Sequence, residues 1–222
     1  MTDTLRQEIE ASGFAFLREH RTGVESMRVA RDLGSVVHLP GVAEIQHLSP
    51  KHESSSAPNT YSGNYGTREF PLHTDLAHWH LPPRYFILRC IVGTADVLTR
   101  LLNCDEVMRI VGRKSLRRAL VQPRRPVGFV RPLLRLLEEA PGGAPCFRWD
   151  RLFLEPATPA SRAICEDVQM ALFRVKPYDL TLDRPGDTLL VDNWRVLHGR
   201  SRVATDLGMT RRIDRVYLGA FR

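Results

Sequence analysis

Residues 186–200 read GDTLLVDNWRVLHGR, and they carry the strongest strand signal in the chain. Pro185, Gly186 and Asp187 form a predicted turn at the start of this stretch. The runs 188–191 and 194–198 that follow it are rich in leucine and valine, which predicts one strand or two. The segment 211–218 alternates isoleucine and valine with charged residues, so it is typical of a further strand. The C-terminal part of the chain is therefore predicted to be β structure.

Strand and helix signals are mixed in the rest of the chain. The predicted strands lie at 14–16, 70–73, 85–92 and 146–154. The predicted helices lie at 4–12, 24–33, 160–173 and, in pieces broken by glycine and proline, 101–140. The polar stretch 51–67 is predicted to be a long functional loop. Strands on both sides of a helical middle disfavour a parallel doubly wound sheet. We expect a mainly β protein with inserted helices, a double-stranded β-helix of the jelly-roll, cupin-like kind.

Length and composition are those of an ordinary globular protein, with 222 residues of which 43% are hydrophobic and 26% charged, enough for one large domain or two small ones. The net charge is +7, but the basic residues are scattered, so a nucleic-acid partner is not expected. The four cysteines are irregularly spaced, and neither a signal-peptide pattern nor a run of about 18 apolar residues occurs. We expect a cytoplasmic protein with reduced thiols and no membrane partner.

Two of the eight histidines stand in contexts that suggest chemistry. The tripeptide His73-Thr74-Asp75 places an imidazole and a carboxylate two residues apart, where an extended chain points both to one face. His198 ends the strand-like run of the C-terminal block. Two imidazoles and one carboxylate on one side of a metal form the facial triad of non-heme Fe(II) oxygenases. An H-x-D tripeptide alone is more often a surface or structural pair, so the prediction depends on a joint pattern.

Thr99 and a downstream arginine cluster, Arg211, Arg212 and Arg215, complete that pattern. A dicarboxylate cosubstrate needs a cation at its far end, and a guanidinium binds a carboxylate through two parallel hydrogen bonds. A threonine hydroxyl supplies a short donor beside that cation. On a regular strand Arg211 and Arg215 share one face, and Arg212 points away unless a bulge shifts the register.

At this point the chain resembles the taurine dioxygenase, γ-butyrobetaine hydroxylase and clavaminate synthase group of Fe(II)- and 2-oxoglutarate-dependent oxygenases, over about residues 57–219. The resemblance is carried by NTY at 59–61, FPLHTD at 70–75, PP at 82–83, LRC at 88–90, GDTLLVDNWRVLHGR at 186–200 and RRIDR at 211–215. It implies a single oxygenase domain over residues 1–222, with helix and strand elements in 1–56 and a reduced helical insert in 100–180.

The same resemblance implies the roles of individual residues. His73, Asp75 and His198 match the catalytic iron ligands. Thr99 and Arg211 match the 2-oxoglutarate-binding residues, and Arg215 is a second cation for cosubstrate or substrate. The implied cofactors are Fe(2+), 2-oxoglutarate as cosubstrate, and O2. The implied reaction is hydroxylation or desaturation of a small polar, amino-acid-like or carboxylate substrate, with release of succinate and CO2.

Other residues near the motifs are weaker candidates. Substrate contacts are predicted for Asn59, Tyr61, His78 and Trp79, although turn or structural roles are about as plausible for them. Asp187 and Asn193 are expected to position His198. Two different functions stay open: a metal-dependent cupin-type isomerase or hydrolase, and a non-catalytic basic binding protein whose histidines are structural. The expected partner is a small-molecule substrate, and a homo-oligomer is left open.

Overall fold

The computed structural model describes residues 3–126 and 129–221. Numbered in chain order, its strands are β1 Phe14–Leu17, β2 Gly34–Val36, β3 Gln46–Leu48, β4 Phe70–His73, β5 Tyr85–Val92, β6 Leu98–Asn103, β7 Leu120–Pro123, β8 Leu134–Arg135, β9 Leu137–Glu139, β10 Pro145–Phe147, β11 Leu154–Pro156, β12 Tyr178–Thr181, β13 Thr188–Asp192, β14 Val196–Arg200 and β15 Arg212–Phe221. Its helices are α1 Asp3–Ser12, α2 Ser26–Leu33, α3 Tyr61–Tyr65, α4 Cys104–Val111, α5 Arg113–Arg118, α6 Pro159–Arg174 and α7 Asp206–Met209, with a 3₁₀ turn at Glu53–Ser55.

Two antiparallel sheets form the body of the protein. The larger has the strand order β1-β13-β5-β15-β2, with β3 pairing to β15, and the smaller has the order β12-β6-β14-β4. Two small antiparallel sheets, β10-β9 and β11-β7-β8, belong to the middle of the chain. Every strand pairing among the described residues is antiparallel, which agrees with the prediction against a parallel doubly wound sheet.

The two large sheets share one hydrophobic core. Phe86 of β5 and Leu189 of β13 pack in one buried cluster with Leu101 of β6 and Val196 of β14. Alternate residues along a strand point to opposite faces, so Ile87, which follows Phe86, is buried on the other side of the larger sheet. There it packs against apolar side chains of α1 and α2. The larger sheet is thus covered on both faces, which explains its nearly continuous apolar strands.

The middle of the chain differs from its predicted helical character. Residues 101–103 belong to strand β6, helices α4 and α5 follow, and after Arg118 the chain forms the short strands β7, β8 and β9. The helical prediction for 101–140 is therefore wrong at 101–103 and beyond Arg118. Pro123, Pro126 and Pro132 explain the difference, because proline lacks the N–H that a helix needs and clashes with the preceding turn. The predicted strand at 146–154 is two short strands, β10 and β11, joined by a turn.

The remaining elements agree more closely with their predicted positions. Strand β5 has the predicted bounds, and α1, α2 and α6 lie within two residues of theirs. The loop 51–67 contains one short helix, α3, which the composition of that stretch does not indicate. No helix among the described residues is both long enough and apolar enough to cross a membrane.

Gly199 allows β14 to lie close to β4, and we expect Gly199→Ala to lower the free energy of unfolding by about 1–3 kcal/mol. A Cβ atom at this position would stand 2.7 Å from the backbone oxygen of Phe70, which cannot move away without disturbing the strand pair. Gly219→Ala is the matched control, because its Cβ would meet the end of the Val37 side chain at 3.2 Å. Urea denaturation measures both variants, and equal losses would contradict the close-approach argument.

Candidate active site

Three side chains from distant parts of the sequence meet where β4 lies beside β14. His73 and His198 are directly opposite each other in the register of these strands, and their ring centroids are 4.4 Å apart. Oδ1 of Asp75 lies 3.8 Å from Nε2 of His73 and 3.6 Å from Nε2 of His198. All three side chains are buried, and one potential ligand atom of each lies within 4.8 Å of the others. Two imidazoles and one carboxylate on one side of an open position have the arrangement of a facial triad.

The two imidazoles present free Nε2 atoms to this position. Nδ1 of His73 lies 2.8 Å from the backbone oxygen of Pro71, and since a carbonyl can only accept, Nδ1 carries the proton. Burial and the neighbouring His73 lower the pKa of His198 to about 3, so that ring is neutral at pH 7. A neutral imidazole with an available Nε2 is the form that binds a metal ion.

Asp75 lies beyond the end of β4, and hydrogen bonds to its backbone hold it in position. Strand β4 ends at His73, and Leu76 has a φ of 53°, so the chain turns sharply after the motif. The backbone N–H of Asp75 donates to Oδ1 of Asn193 over 2.7 Å, and Nδ2 of Asn193 donates to the Asp75 carbonyl over 3.0 Å. The side chain of Asn193 therefore positions Asp75, not His198. Asp187 lies elsewhere and accepts hydrogen bonds within the turn that precedes β13.

Arg215 forms the electrostatic partner of the carboxylate. Its Nη1 lies 2.7 Å from Oδ1 and 2.6 Å from Oδ2 of Asp75, and its Nε donates to Oε1 of Gln46 over 3.2 Å. Burial alone would raise the pKa of Asp75, but the Arg215 guanidinium and the two histidines hold it below its usual value. Asp75 is therefore ionised at neutral pH, as a metal ligand must be.

Thr99 and Arg211 also lie together, as the sequence predicts. Nη2 of Arg211 donates to Oγ1 of Thr99 over 2.9 Å, and both side chains are buried. Nε of Arg211 has no hydrogen-bond partner, and within the described residues no carboxylate lies within 4.0 Å of this guanidinium. Burial lowers its pKa to about 10, so it is still cationic at pH 7. A bulge separates Arg212 from Ile213, and Arg212 is exposed.

One cavity of about 610 Å³ joins these groups. Its wall includes the three triad residues together with Thr99, Arg211 and Arg215. Of the predicted substrate residues, Asn59, Tyr61 and His78 line this cavity, and the ring of Tyr61 stacks on that of His73 with 4.1 Å between centroids. Trp79, although described, does not line it; the tight turn after Asp75 directs its backbone N–H to Leu76 and leaves its side chain outside.

The structure adds two cavity residues that the sequence analysis does not single out as site residues. Asp150 lines the cavity from the turn between β10 and β11, and Arg200 lines it from the end of β14. Nη2 of Arg200 donates to the carbonyls of Gly66 and Arg68, over 2.8 and 2.7 Å, which anchors the chain segment that follows α3. Arg200 belongs to the HGR end of the C-terminal block, so it carried a motif signal; Asp150 carried none.

The donor set fits a ferrous ion and a keto acid. Imidazole nitrogen and carboxylate oxygen are ligands that iron accepts, and three of them leave coordination positions free for a bidentate ligand and O2. The unpartnered Nε of Arg211 is a buried donor that a second carboxylate of that ligand would satisfy.

Comparison with known proteins supports the same class. No family model matches the chain. The chain is 26% identical over 240 residues to clavaminate synthase 2 of Streptomyces clavuligerus, covering 97% of this chain and 70% of that protein.

Solved structures with the same fold include several iron oxygenases. PvcB of Pseudomonas aeruginosa matches with a TM-score of 0.71 and 18% identity, over 98% of this chain and 79% of PvcB. An asparagine oxygenase in complex with Fe(II), 3-hydroxyasparagine and succinate matches with a TM-score of 0.68 and 16% identity, over 98% and 79% of the two chains. The oxygenase OrfP, in complex with Fe, succinate and (3S)-hydroxy-L-Arg, matches with a TM-score of 0.61 and 19% identity, over 97% and 78%.

The fold is one that solved iron oxygenases share, and the three buried side chains could hold a metal ion in the facial arrangement. In sequence the chain is similar to clavaminate synthase 2, which agrees with its resemblance to the taurine dioxygenase and clavaminate synthase group.

Proposed function

We propose that the protein is an Fe(II)- and 2-oxoglutarate-dependent oxygenase that hydroxylates or desaturates a small polar substrate, amino-acid-like or a carboxylate. The observation that carries this proposal is the position of Arg211. A buried guanidinium without a carboxylate partner is costly to leave in a folded protein. It lines the same cavity as the triad, and it is joined to the Thr99 hydroxyl. A dicarboxylate that also reaches the triad would neutralise it.

The roles of the residues follow from these positions. His73, Asp75 and His198 would hold Fe(II), and Arg211 with Thr99 would bind the distal carboxylate of 2-oxoglutarate. When bound, the metal and its keto acid supply oxidative chemistry, in which O2 is consumed, succinate and CO2 are released, and a substrate C–H bond is broken. The protein contributes orientation: the Pro71 carbonyl sets the His73 tautomer, and Asn193 holds the Asp75 backbone.

Arg215 offers a second cationic group in the cavity. Its guanidinium contacts both Asp75 and Gln46, so it holds the metal-binding carboxylate in place, and its side chain lines the cavity. We assign it to an anionic group of the substrate or cosubstrate. The relatives fit this class of ligand, because the asparagine oxygenase and OrfP are in complex with hydroxylated amino acids.

The proposal extends to the architecture. The two antiparallel sheets around one core are consistent with a double-stranded β-helix, and we propose that residues 1–222 form one oxygenase domain. A cytoplasmic location, the absence of a nucleic-acid partner, and a possible homo-oligomer stay predictions of the sequence. The two alternative functions are disfavoured, because a cupin isomerase, a hydrolase or a binding protein with structural histidines gives no role to the Thr99–Arg211 pair.

Anaerobic addition of Fe(II) and 2-oxoglutarate tests the function directly. We expect a weak visible charge-transfer band in the wild-type protein, and its complete loss in His73→Ala, because the variant lacks one of three ligands. His80→Ala is the matched control, since this histidine is exposed and lies close to the motif. If the wild-type protein is folded by circular dichroism and shows no band, the proposed oxygenase function is wrong.

A further inference from the structure

Arg148 is a buried cation to which the proposed function assigns no role. It directly follows β10, its exposed fraction is 0%, and it does not line the cavity. Burial lowers the pKa of its guanidinium to about 10, so the side chain is still charged at neutral pH. A buried charge is costly in a folded protein unless hydrogen bonds compensate it. The contacts of this side chain therefore indicate what it does.

The guanidinium binds the turn that follows the metal-binding motif. Nη1 of Arg148 donates to the carbonyl oxygen of Ala77 over 3.0 Å and to that of Trp79 over 2.6 Å. Nη2 donates to the carbonyl oxygen of His80 over 3.1 Å. Three hydrogen bonds from one rigid group to one turn fix the backbone of that turn, because the carbonyl groups cannot move independently of one another.

The remaining contacts fix the guanidinium itself. Nε of Arg148 donates to the carbonyl oxygen of Arg135 over 2.9 Å, and Nη2 also donates to Oε1 of Glu138, which supplies the opposite charge. A guanidinium has five N–H groups in a planar fork, so every one of them has an acceptor here. The β8 and β9 region thus holds the guanidinium on one side, and the guanidinium holds the turn on the other.

The turn carries the carboxylate ligand in a conformation that needs support. Only Leu76 separates Asp75 from Ala77, and its φ of 53° lies in the left-handed region, which is unfavourable for leucine. Such a conformation persists where the surrounding structure fixes the backbone. The N–H of Trp149 donates to Oγ1 of Thr74 over 3.1 Å, and its carbonyl accepts the Thr74 N–H over 2.8 Å. The segment after β10 therefore holds the chain on both sides of Asp75.

We propose that Arg148 is a positioning residue of the metal site, which fixes the turn carrying Asp75 and thereby the place of that carboxylate relative to the two histidines. The inference rests on the proposed function, and it adds a residue whose hydrogen bonds go to none of the metal ligands. Without this support the turn can relax, and Asp75 moves away from the position that it shares with the histidines. Replacing a group that orients metal ligands typically weakens metal binding about 10- to 100-fold.

Arg148→Met and Arg89→Met form a matched pair for the test. Arg89 is 2% exposed and likewise donates to backbone carbonyl groups, which lie in residues 20–24 and at Gly186. Leu88 lines the cavity, so Arg89, the next residue of β5, points to the opposite face of its sheet. Both substitutions leave buried carbonyl groups without a donor, so both should lower the melting temperature.

Isothermal titration calorimetry of the metal-free full chain with Fe(II), under anaerobic conditions, measures the metal affinity of both variants. The Kd for Fe(II) should rise roughly 10- to 100-fold in Arg148→Met and keep its wild-type value in Arg89→Met. A role of Arg148 in stability alone would lower the melting temperature and leave the Kd of the folded variant unchanged. The comparison of the two readouts therefore separates positioning of the metal site from general stabilisation.

If Arg148→Met does not fold, Arg148→Lys takes its place, with Arg89→Lys as the control. An ammonium group donates from a single point and cannot span the same carbonyl groups, so a rise in Kd of about tenfold is still expected. Wild-type Fe(II) affinity in a folded Arg148 variant, or an equal loss in the Arg89 variant, would overturn the proposal. Failure of the oxygenase function is recognised separately, by the missing charge-transfer band of the wild type with 2-oxoglutarate, because this titration uses Fe(II) alone.

Discussion

Replacing Arg211 by methionine is expected to weaken 2-oxoglutarate binding by about thirtyfold to several thousandfold, since removing one partner of a buried charge pair costs about 2–5 kcal/mol. The physical reason is the environment of this guanidinium. It is buried, it is bonded to the Thr99 hydroxyl, and it has a donor left over for a ligand carboxylate. Methionine keeps similar bulk and removes the charge. The measurement is the dependence of succinate formation on 2-oxoglutarate concentration.

Thermal unfolding is a second measurement on the same variant, and without ligand it is expected to show no loss of stability. Without ligand, the Arg211→Met protein should be as stable as the wild type or more so, because a buried unpaired cation is lost. Saturating 2-oxoglutarate with Fe(II) should stabilise the wild type, by about 2.7 kcal/mol at a concentration one hundred times Kd, and should leave the variant nearly unchanged. Arg212→Met is the control, because that neighbouring side chain is exposed. Equal 2-oxoglutarate dependence in both variants would show that Arg211 does not bind the cosubstrate.

The second large effect is expected at the pair formed by Asp75 and Arg215. In metal-free protein, Asp75→Ala should lower the free energy of unfolding by about 3–5 kcal/mol, since it leaves the largely buried guanidinium without its carboxylate. The contacts are short, 2.6 and 2.7 Å, and the carboxylate is almost fully buried. The double variant Asp75→Ala/Arg215→Met should recover much of this loss, because the unpaired charge is gone. Urea denaturation in the presence of a chelator measures both.

A surface pair provides the control for this experiment. Glu139 and Arg117 contact each other at 2.7 Å with both side chains exposed, so Glu139→Ala should cost less than about 1 kcal/mol. If Asp75→Ala in metal-free protein costs no more than this surface variant, the buried pair does not stabilise the fold.

The pH dependence of the Asp75 contribution has a definite sign. The pKa of Asp75 in the folded protein is lowered from its usual 3.8, so the unfolded chain takes up a proton first on acidification. The stabilisation is fully present above the unfolded pKa and is lost as the pH falls through the lower pKa of the folded state. The stability difference between wild type and Asp75→Ala should therefore be constant near neutral pH and shrink below about pH 4.

The local sequence pattern was enough to predict the helices and strands that have a regular spacing of apolar residues and clear end signals. Strand β5 is apolar except for Arg89 and lies between Pro83 and Gly93. Helix α6 begins with Thr158 as its N-cap and has a proline in its first turn. The stretch after α5 could not be predicted in the same way. Its strands have two to four residues and pair with distant segments, as β7 does with β11, and such short apolar runs fit helix and strand equally well.

The residues of the candidate site also differ in whether the sequence predicts them. His73, Asp75 and His198 stand in motifs that are specific enough to indicate an iron site. Gln46 and Asp150 stand in no motif, and they enter the site only because β3 pairs with β15 and because the turn after β10 faces the cavity.

The amino-acid sequence by itself determined the chemistry available to this protein: the two histidines, the carboxylate and the arginines at spacings typical of one oxygenase superfamily. Only the tertiary structure decided which of those groups contact one another. Arg215 bonds Asp75 across 140 positions of sequence, and Asn193 holds the Asp75 backbone across 118. Contacts of this range depend on strand pairing and on the burial of unlike charges together, and neither has a local sequence signal.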